Sequence, residues 1–347
     1  MTPARQTPGL IDLQANGYAG VDFNDAAITP DALDHALHAM LGAGVCHVLP
    51  TLITAAADAL AARLAALDHA VRHSRLGPVM VPGYHLEGPF LSPLPGYAGC
   101  HPAAAMVAPD ADLLDAVQAG AARPILLLTL APELPGAPAF IGAAAARGIA
   151  VAVGHTGADH ATIAAAAAAG AVMSTHLGNA LPQPQPKFDN PLMAQLAEDR
   201  LAASVIADGR HVPAHALRVI ARAKGDGRMI LVTDATAAAA APPGAYTLGD
   251  LAIRRTPDGR VVRDDDEARL AGSCLTLDRA VRNVVAWGIA GPATALAWAR
   301  ETPGAVLAAP LAQAGVSLAP SHVEWTQDLR PRRVTVGAHA VTLATPP

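Results

Sequence analysis

Residues 149–180 read IAVAVGHTGADHATIAAAAAAGAVMSTHLGNA, and this stretch contains two apolar runs that each end at a histidine. The first run stops at His155 and the second at His176. Between them, residues 159–170 form an alanine-rich segment that ends in glycine, as helices commonly do. Continuously apolar runs joined by a helix are typical of parallel strands that are buried on both faces. The stretch therefore predicts a strand–helix–strand unit with a histidine at the end of each strand.

The same alternation extends over most of the chain. Six further apolar runs also stop at polar residues: 11–17 (IDLQANG), 45–52 (VCHVLPTL), 79–88 (VMVPGYHLEG), 124–133 (PILLLTLAPE), 202–209 (AASVIADG) and 229–236 (MILVTDAT). Segments with helical spacing lie between most of them, at residues 31–44, 55–73, 110–120, 138–148, 190–199 and 213–225. Eight strand–helix units predict an α/β fold of the (β/α)8 TIM-like barrel type, whose catalytic groups lie at the carboxyl ends of the strands.

The rest of the chain is predicted to add a small β element to the barrel. We expect the barrel over residues 8–305, with a β-hairpin insertion at about 244–265 marked by a PDG turn between alternating segments. Further helices are expected at residues 275–287 and 292–300. The alternating tail, over residues 306–347, is expected to form the small β element together with the extreme N-terminus. One long Pro- and Gly-rich connection, residues 88–109, follows Glu87, and loops of that length are often functional.

Composition excludes several classes of function. The 347 residues carry a net charge of -5, which argues against a nucleic-acid partner because such proteins present a basic face. No cluster of Lys or Arg offers a membrane-surface patch, the N-terminus has no apolar core of signal-peptide length, and the longest apolar stretch is too short to span a membrane. The three cysteines are widely spaced, which is not a disulfide framework. We therefore expect a cytoplasmic protein.

Three polar strand ends have the chemistry of a metal site. His155, His176 and Glu87 follow apolar runs, and neighbouring strand ends converge in a barrel. Two histidines and a carboxylate, with one position left for water, are a recurrent shell of catalytic zinc. The alternative for each residue alone is a hydrogen-bonded histidine or a solvated glutamate, but burying all three without an ion would be costly. We predict one divalent ion, zinc in the first instance, with iron, manganese and cobalt as alternatives.

Further residues offer proton transfer and substrate contacts. Asp234 closes the last strand and can take a proton from metal-bound water and return it to a leaving amine; its alternative role is a helix cap. His211 follows the seventh strand and can polarise a carbonyl, or else lie on a surface loop. Asn179 can offer its amide to a polar substrate. The segment LAGSCLT, residues 270–276, can present backbone N–H groups to an anion.

Seven motifs together resemble the N-acetylglucosamine-6-phosphate deacetylases of the amidohydrolase superfamily, as a divergent member. They are DLQANGYAGVDFND, GYHLEGPF, VGHTGA, STHLGNAL, IADGRHV, LVTDA and LAGSCLTLDRAVRNVV, in the family's order and at compatible spacing between about residues 8 and 287. The resemblance implies a barrel with a small β-sandwich, a homodimer, and hydrolysis of an N-acetyl amino-sugar phosphate to acetate and the free amine.

The resemblance also implies roles for individual residues. The metal ligands of the family match Glu87, His155 and His176; its general acid/base matches Asp234, and its carbonyl-polarising histidine matches His211. Positions that hold the sugar phosphate match Asn179 and Ala180, and the histidine of a GAHNP segment matches His101, which would contact substrate or be exposed. Lys187, Gly272 and Ser273 complete the predicted substrate-binding set.

The sequence departs from the family pattern in three places. Gln14 and Asn16 stand where many amidohydrolases have an HxH pair, so a second ion is not expected. A basic cluster that helps to bind phosphate is replaced by LPQPQPKFDN, where Lys187 is the only cation, and Gly178 replaces an aromatic residue. Lys binds phosphate as a point charge without the fork of Arg. The strands that normally precede the barrel are missing, so the β-sandwich is expected to consist mainly of C-terminal strands.

The sequence therefore predicts a metal-dependent deacetylase acting on N-acetylglucosamine 6-phosphate. One alternative keeps the same machinery for a different, unphosphorylated N-acyl or cyclic amide substrate. Another is a non-catalytic metal-binding relative.

Overall fold

The structure of the protein, a computed structural model, describes residues 5–343. Its strands are β1 (Arg5–Thr7), β2 (Leu10–Ala15), β3 (Gly17–Tyr18), β4 (Val21–Asp22), β5 (Val45–Ile53), β6 (Tyr84–Glu87), β7 (Ile125–Leu130), β8 (Ala150–Val153), β9 (Ala171–Ser174), β10 (Ala202–Ile206), β11 (Met229–Val232), β12 (Gly244–Leu248), β13 (Leu251–Arg255), β14 (Val261–Arg263), β15 (Ser321–Trp325), β16 (Pro331–Val336) and β17 (His339–Thr342). Its helices are α1 (Pro30–Gly42), α2 (Ala57–His73), α3 (Gly77–Met80), α4 (Ala111–Gln118), α5 (Ala137–Ala146), α6 (His160–Ala169), α7 (Pro191–Ala197), α8 (Ala214–Lys224), α9 (Leu277–Ala286), α10 (Pro292–Trp298) and α11 (Glu301–Ala314).

Eight parallel strands form the central sheet, in the order β2, β5, β6, β7, β8, β9, β10, β11. Each of them lies within one of the eight predicted runs or extends it by a residue, and the (β/α)8 barrel is confirmed. Every residue of β2, β5 and β7 is buried, because the strands pack against side chains on both faces of the sheet. This burial explains why the runs are continuously apolar rather than alternating.

The seam between the first and last barrel strands is closed at their carboxyl ends. The backbone N–H of Asp234 donates to the carbonyl of Gln14 at 2.9 Å, and Ala15 forms a single parallel bridge with Ala235. Deeper in the seam, the fully buried Asp12 accepts a hydrogen bond from the Thr233 hydroxyl at 2.6 Å. Burial raises the pKa of Asp12 to about 7. The seam therefore depends on a polar side-chain contact as well as on backbone pairing.

The helices begin where the sequence provides caps. The carboxylate of Asp159, for example, accepts from the Thr162 backbone N–H at 2.8 Å and starts α6, and Gly170, with φ of 121°, ends it. Side-chain oxygens at such positions satisfy backbone donors that the first helical turn leaves free. The predicted helices are present with end points shifted by a few residues.

The run predicted as a strand from residue 79 is wrong in its first part. A short helix, α3, occupies Gly77–Met80, and β6 begins only at Tyr84. The Ser74 hydroxyl accepts from the Gly77 N–H at 3.1 Å, and Pro78 suits the first turn of a helix because it needs no N–H partner there. Apolar composition alone did not distinguish a short helix from the start of a strand.

Helix α11 was not predicted. Its sequence contains Pro303 and Pro310, which normally interrupt helices, but Pro303 lies in the first turn and Pro310 is buried. The helix contacts β2, β7, β8 and β11. The predicted division between residues 305 and 306 falls inside this helix, and that division stays a prediction.

Two smaller antiparallel sheets complete the fold. The tail strands β15, β16 and β17 pair in order, and β1 pairs with β15, so the N-terminal segment contributes one strand to this sheet. The region predicted as a hairpin forms the three strands β12, β13 and β14, which pack through Leu248 and Ile253 against Ile53 at the carboxyl end of β5. This sheet therefore lies beside the end of the barrel where the site is expected. Within residues 5–343, the structure contains no helix with both the length and the apolar character required to cross a membrane.

Candidate active site

A cavity of about 350 Å³ opens at the carboxyl end of the barrel. This volume lies at the lower end of the range of small-molecule sites, about 300–1,000 Å³. Its wall includes four of the predicted strand-end residues, Glu87, His155, His176 and Asp234. Convergence of the strand ends therefore brings together side chains that are up to 147 residues apart in the printed sequence.

Glu87, His155 and His176 form a compact buried group. One carboxylate oxygen of Glu87, Oε1, lies 2.8 Å from His176 Nε2 and 3.3 Å from His155 Nε2. The two imidazole Nε2 atoms are 3.2 Å apart, and one ligand atom from each of the three residues lies within 4.8 Å of the others. Burial on its own would raise the pKa of Glu87, but the surrounding histidines, His101, His155 and His176, hold it well below its usual value.

The hydrogen bonding of this group fits a bound cation. His155 Nδ1 lies 2.8 Å from the Tyr97 carbonyl oxygen, to which it donates its proton. In a neutral ring, the Nε2 lone pair then faces Glu87 Oε1, and burial lowers the pKa of His155 to about 4, so the ring is neutral at pH 7. Two acceptors that face each other in a buried site repel unless a cation lies between them. A backbone carbonyl on the outer nitrogen is also the usual way of orienting a metal-binding histidine.

The backbone at three of these strand ends is left-handed. His155 has φ of 50°, His176 φ of 28° and Asp234 φ of 48°. Such angles cost energy in residues other than glycine and cluster at functional sites. In each case, the turn comes immediately after the strand and directs the side chain toward the cavity rather than along the sheet.

Gln14 and Asn16 stabilise the two carboxylates of the site. Gln14 Nε2 donates to Glu87 Oε1 at 3.0 Å and lies 3.3 Å from Asp234 Oδ1. Asn16 Nδ2 donates to the same Asp234 oxygen at 2.7 Å. Both positions thus carry amide donors that bond to the carboxylates of the site.

Asp234 lies beside the Glu87–His155–His176 group, called here the metal group, and is not one of its three potential ligands. Burial raises its pKa to about 6, against the opposing influence of His176. A carboxylate whose pKa lies near neutrality can accept a proton and release it again in one catalytic cycle.

His211 is held by an aspartate three residues earlier. Asp208 Oδ2 accepts from His211 Nδ1 at 2.7 Å, and its other oxygen accepts from the His211 backbone N–H at 2.9 Å. Nε2 is therefore the ring nitrogen available to a substrate, and His211 lines the cavity. From the sequence alone, Asp208 is expected to be structural; its i, i+3 spacing to a histidine is the signal for the contact found here.

His101 lies inside the site rather than on the surface. It is 5% exposed and lines the cavity. Its Nδ1 lies 2.9 Å from Thr54 Oγ1, and its Nε2 lies 3.6 Å from Glu87 Oε2. The side chain is thus in reach of both the metal group and a substrate.

The remaining predicted substrate-binding residues divide into two groups. Asn179, Ala180 and Gly272 line the cavity. Ser273 and Lys187 are outside the set of described residues that line it: the Ser273 hydroxyl donates to the Thr233 carbonyl at 2.6 Å, and Lys187 is exposed on the loop before α7. Their roles stay predictions. Sequence reasoning did not single out Arg210, Cys100 and Gln183, which also line the cavity.

Comparison with known proteins supplies a consistent set of relatives. An N-acetylglucosamine-6-phosphate deacetylase of Bos taurus is 35% identical over 285 residues, which cover 80% of this chain and 68% of the relative. An N-acetylgalactosamine-6-phosphate deacetylase of Escherichia coli O157:H7 is 34% identical over 301 residues, which cover 86% of this chain and 77% of the relative. None of the protein-family models scanned matches the chain.

A solved structure extends the comparison to the fold. The N-acetyl-D-glucosamine-6-phosphate deacetylase of Mycobacterium smegmatis, a mutant in complex with N-acetyl-D-glucosamine-6-phosphate, superposes with a TM-score of 0.81 at 30% identity. The match covers 98% of this chain and 87% of that one. The barrel and the additional sheets are thus both shared with this neighbour.

Proposed function

The chain belongs to the N-acetylglucosamine-6-phosphate deacetylase family, and on that premise we propose how its own residues carry out the reaction. The reaction is hydrolysis of the acetamide of an N-acetylated amino sugar, giving acetate and the free amine. The observation that carries the proposal is the buried Glu87–His155–His176 group directly beside Asp234. Three ligands with an adjacent carboxylate of raised pKa are the parts that metal-assisted amide hydrolysis needs.

One divalent ion would be held by Glu87 Oε1 and by Nε2 of His155 and His176. When bound, it supplies an acidified water molecule and polarises the acetamide carbonyl. We propose zinc, because a shell of two histidines and a carboxylate is a recurrent zinc shell, and the amide donors of Gln14 and Asn16 favour one ion over two.

The protein moves the protons with two further side chains. Asp234 accepts the proton of the attacking water and returns it to the departing amine, so it leaves the cycle in the state in which it entered. His211 polarises the carbonyl oxygen through Nε2 as negative charge develops there, and the Asp208 carboxylate, which accepts from Nδ1, orients the ring. Asp208 is a positioning residue, since it acts through His211.

The substrate we propose is N-acetylglucosamine 6-phosphate, with the galactosamine epimer as the second candidate. Both sugars carry the acetamide at C2 and the phosphate at C6, and a relative of each specificity is about equally similar to this chain. Other N-acyl compounds and a non-catalytic role remain as the alternatives against which the test is designed.

We propose a cytoplasmic homodimer as the working form. Leu94 and Phe188 are 58% and 78% exposed, which is unusual for large apolar side chains, and they lie on two loops that meet where Gly96 packs against Pro182. An apolar rim beside the cavity suits coverage by a second subunit. Light scattering after size exclusion measures this directly, and a monomer at micromolar concentration would refute it.

The test of the function is acetate release by the metal-loaded protein. Wild type is expected to hydrolyse at least one of the two phosphorylated sugars, whereas Asp234→Asn is expected to lose turnover while it retains its metal, measured by elemental analysis. Asp58→Asn, on the exposed first turn of α2, is the matched control and should behave as wild type. Turnover retained in Asp234→Asn would refute the proton-transfer role, and no acetate from any acylated amino sugar would refute the substrate class.

A further inference from the structure

The cavity has one cationic side chain at a position that the sequence analysis did not consider. Among the residues that the structure describes, Arg210 is the only lysine or arginine lining the cavity. Lys187, the cation predicted for the substrate's anionic end, is exposed on a loop and is not part of that lining. We propose that Arg210 binds the phosphate monoester of the substrate and makes the enzyme selective for phosphorylated amino sugars; this rests on the deacetylation proposed above.

The loop after β10 places Arg210 in the wall of the cavity. Asp208 Oδ1 accepts from the backbone N–H groups of both Arg210 and His211, at 2.8 and 2.9 Å. Gly209 makes the turn with φ of 77°, and a Cβ on it would approach Trp287 to 3.2 Å. The two consecutive side chains therefore have different environments. The side chain of His211 is 8% exposed, whereas the side chain of Arg210 is 38% exposed.

This arrangement matches the shape of an amino-sugar phosphate. In a hexosamine, the substituents at C2 and C6 project from opposite sides of the ring. An acetamide at His211 and the metal group would leave the phosphate on the far side of the sugar ring, and Arg210 is the only lysine or arginine in the described cavity wall to which it could bind. A guanidinium is the side chain best suited to this group, because its fork binds two phosphate oxygens at once.

The charge around Arg210 leaves room for an incoming anion. Its guanidinium bonds to Asp258 on the turn between β13 and β14, through the backbone carbonyl and at 3.3 Å through Oδ2. The same carboxylate oxygen is bound by Arg260 Nε at 3.2 Å. Two guanidiniums thus share one carboxylate, and one positive charge is not compensated by this contact. When Arg210 turns toward a phosphate, Asp258 retains Arg260 as its partner.

A neighbouring cavity reinforces the positive charge. Arg210 also lines a second cavity of about 270 Å³, together with Arg255 and Arg279. Asp208, whose carboxylate is already bonded to His211, and Asp258 face the same space. Three guanidiniums against two carboxylates raise the local attraction for a dianion at the position of Arg210.

The experiment compares Arg210→Gln with Arg260→Gln. Both variants remove a guanidinium from Asp258, but Arg260 does not line the substrate cavity in the described structure. We measure kcat/KM on N-acetylglucosamine 6-phosphate and on N-acetylglucosamine, and take the ratio of the two. Loss of charged hydrogen bonds to phosphate is expected to lower this ratio about 10- to 100-fold in Arg210→Gln, mainly through KM. Arg260→Gln should keep the wild-type ratio, and Arg210→Lys, which keeps the charge without the fork, should fall between them.

A binding measurement separates this proposal from the proposed function. Calorimetric titration with the product glucosamine 6-phosphate, and with its unphosphorylated counterpart glucosamine, requires no turnover. If wild type binds the phosphorylated sugar more tightly and Arg210→Gln loses the difference, the role of Arg210 stands even if no acetate is released. Equal behaviour of wild type and Arg210→Gln toward the phosphorylated sugar overturns the proposal. So does a fall in the ratio caused by Lys187→Gln and not by Arg210→Gln, or wild-type protein that binds neither sugar.

Discussion

Asp12 provides a test of how the barrel seam is stabilised. Its side chain is fully buried between the first and last barrel strands, and it accepts hydrogen bonds from the Thr233 hydroxyl at 2.6 Å and the Thr233 N–H at 3.2 Å. Burial raises its pKa from 3.8 to about 7. We predict that Asp12→Asn makes the protein more stable at pH 8 than wild type, and nearly equally stable at pH 4.

The direction of this difference in stability follows from the protonation of Asp12 in the folded and in the unfolded protein. The folded carboxyl keeps its proton up to about pH 7, whereas the unfolded one loses it near 3.8. The contribution of Asp12 to the free energy of unfolding is therefore full below about pH 4 and is lost as the pH rises through about 7. Each pKa unit between the folded and unfolded states is worth 1.36 kcal/mol, so the free energy of unfolding falls by at most about 4 kcal/mol between pH 4 and pH 8. Asparagine fills the same space, can accept from the same backbone N–H and has no proton to lose.

The assay is urea unfolding followed by tryptophan fluorescence between pH 4 and 8, on metal-saturated protein. The measured quantity is the difference in free energy of unfolding between Asp12→Asn and wild type. Titrations common to both proteins, including those of the metal ligands, cancel in that difference. Asp58→Asn, an exposed aspartate, is the control and should show no pH-dependent difference. A difference that stays constant from pH 4 to 8 would show that Asp12 does not carry the raised pKa.

Three further predictions concern the metal, a buried lysine and a buried amide. Removing the ion with a chelator should lower the free energy of unfolding by about 3 kcal/mol relative to protein at a hundredfold excess over Kd, seen as a lower Tm that zinc restores; an unchanged Tm would exclude a bound ion. Lys224 is 1% exposed and its Nζ donates to the carbonyls of Gln195, Glu198 and Leu201 at 2.6, 2.9 and 3.0 Å, so Lys224→Met should cost about 1–3 kcal/mol in urea unfolding because these acceptors lose their donor. The exposed Arg222→Met on the same helix is its control, and equal losses would contradict the assignment. Gln14→Leu should reduce metal affinity or kcat about 10- to 100-fold, since the two carboxylates of the site lose a shared donor; unchanged metal content and kcat would contradict this.

The barrel could be predicted because its strands are buried on both faces, which leaves an unbroken apolar run for each. The same signal was insufficient near residue 79, since a short apolar helix gives the same composition as the start of a strand. Helix α11 was missed because Pro303 and Pro310 signal interruption locally, whereas in the fold one lies in the first helical turn and the other is packed against neighbouring residues. Tertiary packing, which the local sequence does not contain, decided both cases.

Residues at strand ends were predictable for a geometric reason, since the carboxyl ends of parallel strands converge whatever the loops do. Residues on the loops were predicted only in part: His101 and Asn179 line the cavity as expected, whereas Lys187 does not and Arg210 was not considered. Arg210 and Lys187 are both cations beyond strand ends, and only the turn at Gly209, held by the Asp208 carboxylate, places one of them in the cavity wall. The direction of a loop side chain depends on such contacts, which are visible only in the folded chain.

The seam between β2 and β11 also has a consequence for how the protein is made. Gln14 and Asp234 are 220 residues apart in the chain, so during synthesis the first barrel strand leaves the ribosome long before its last neighbour exists. Until then, β2 has a free edge on one side, and Asp234 is not yet available to Gln14 and Asn16. The catalytic centre is therefore completed by the same event that closes the ring of strands, and a nascent chain that does not yet include Asp234 has no assembled site to be active.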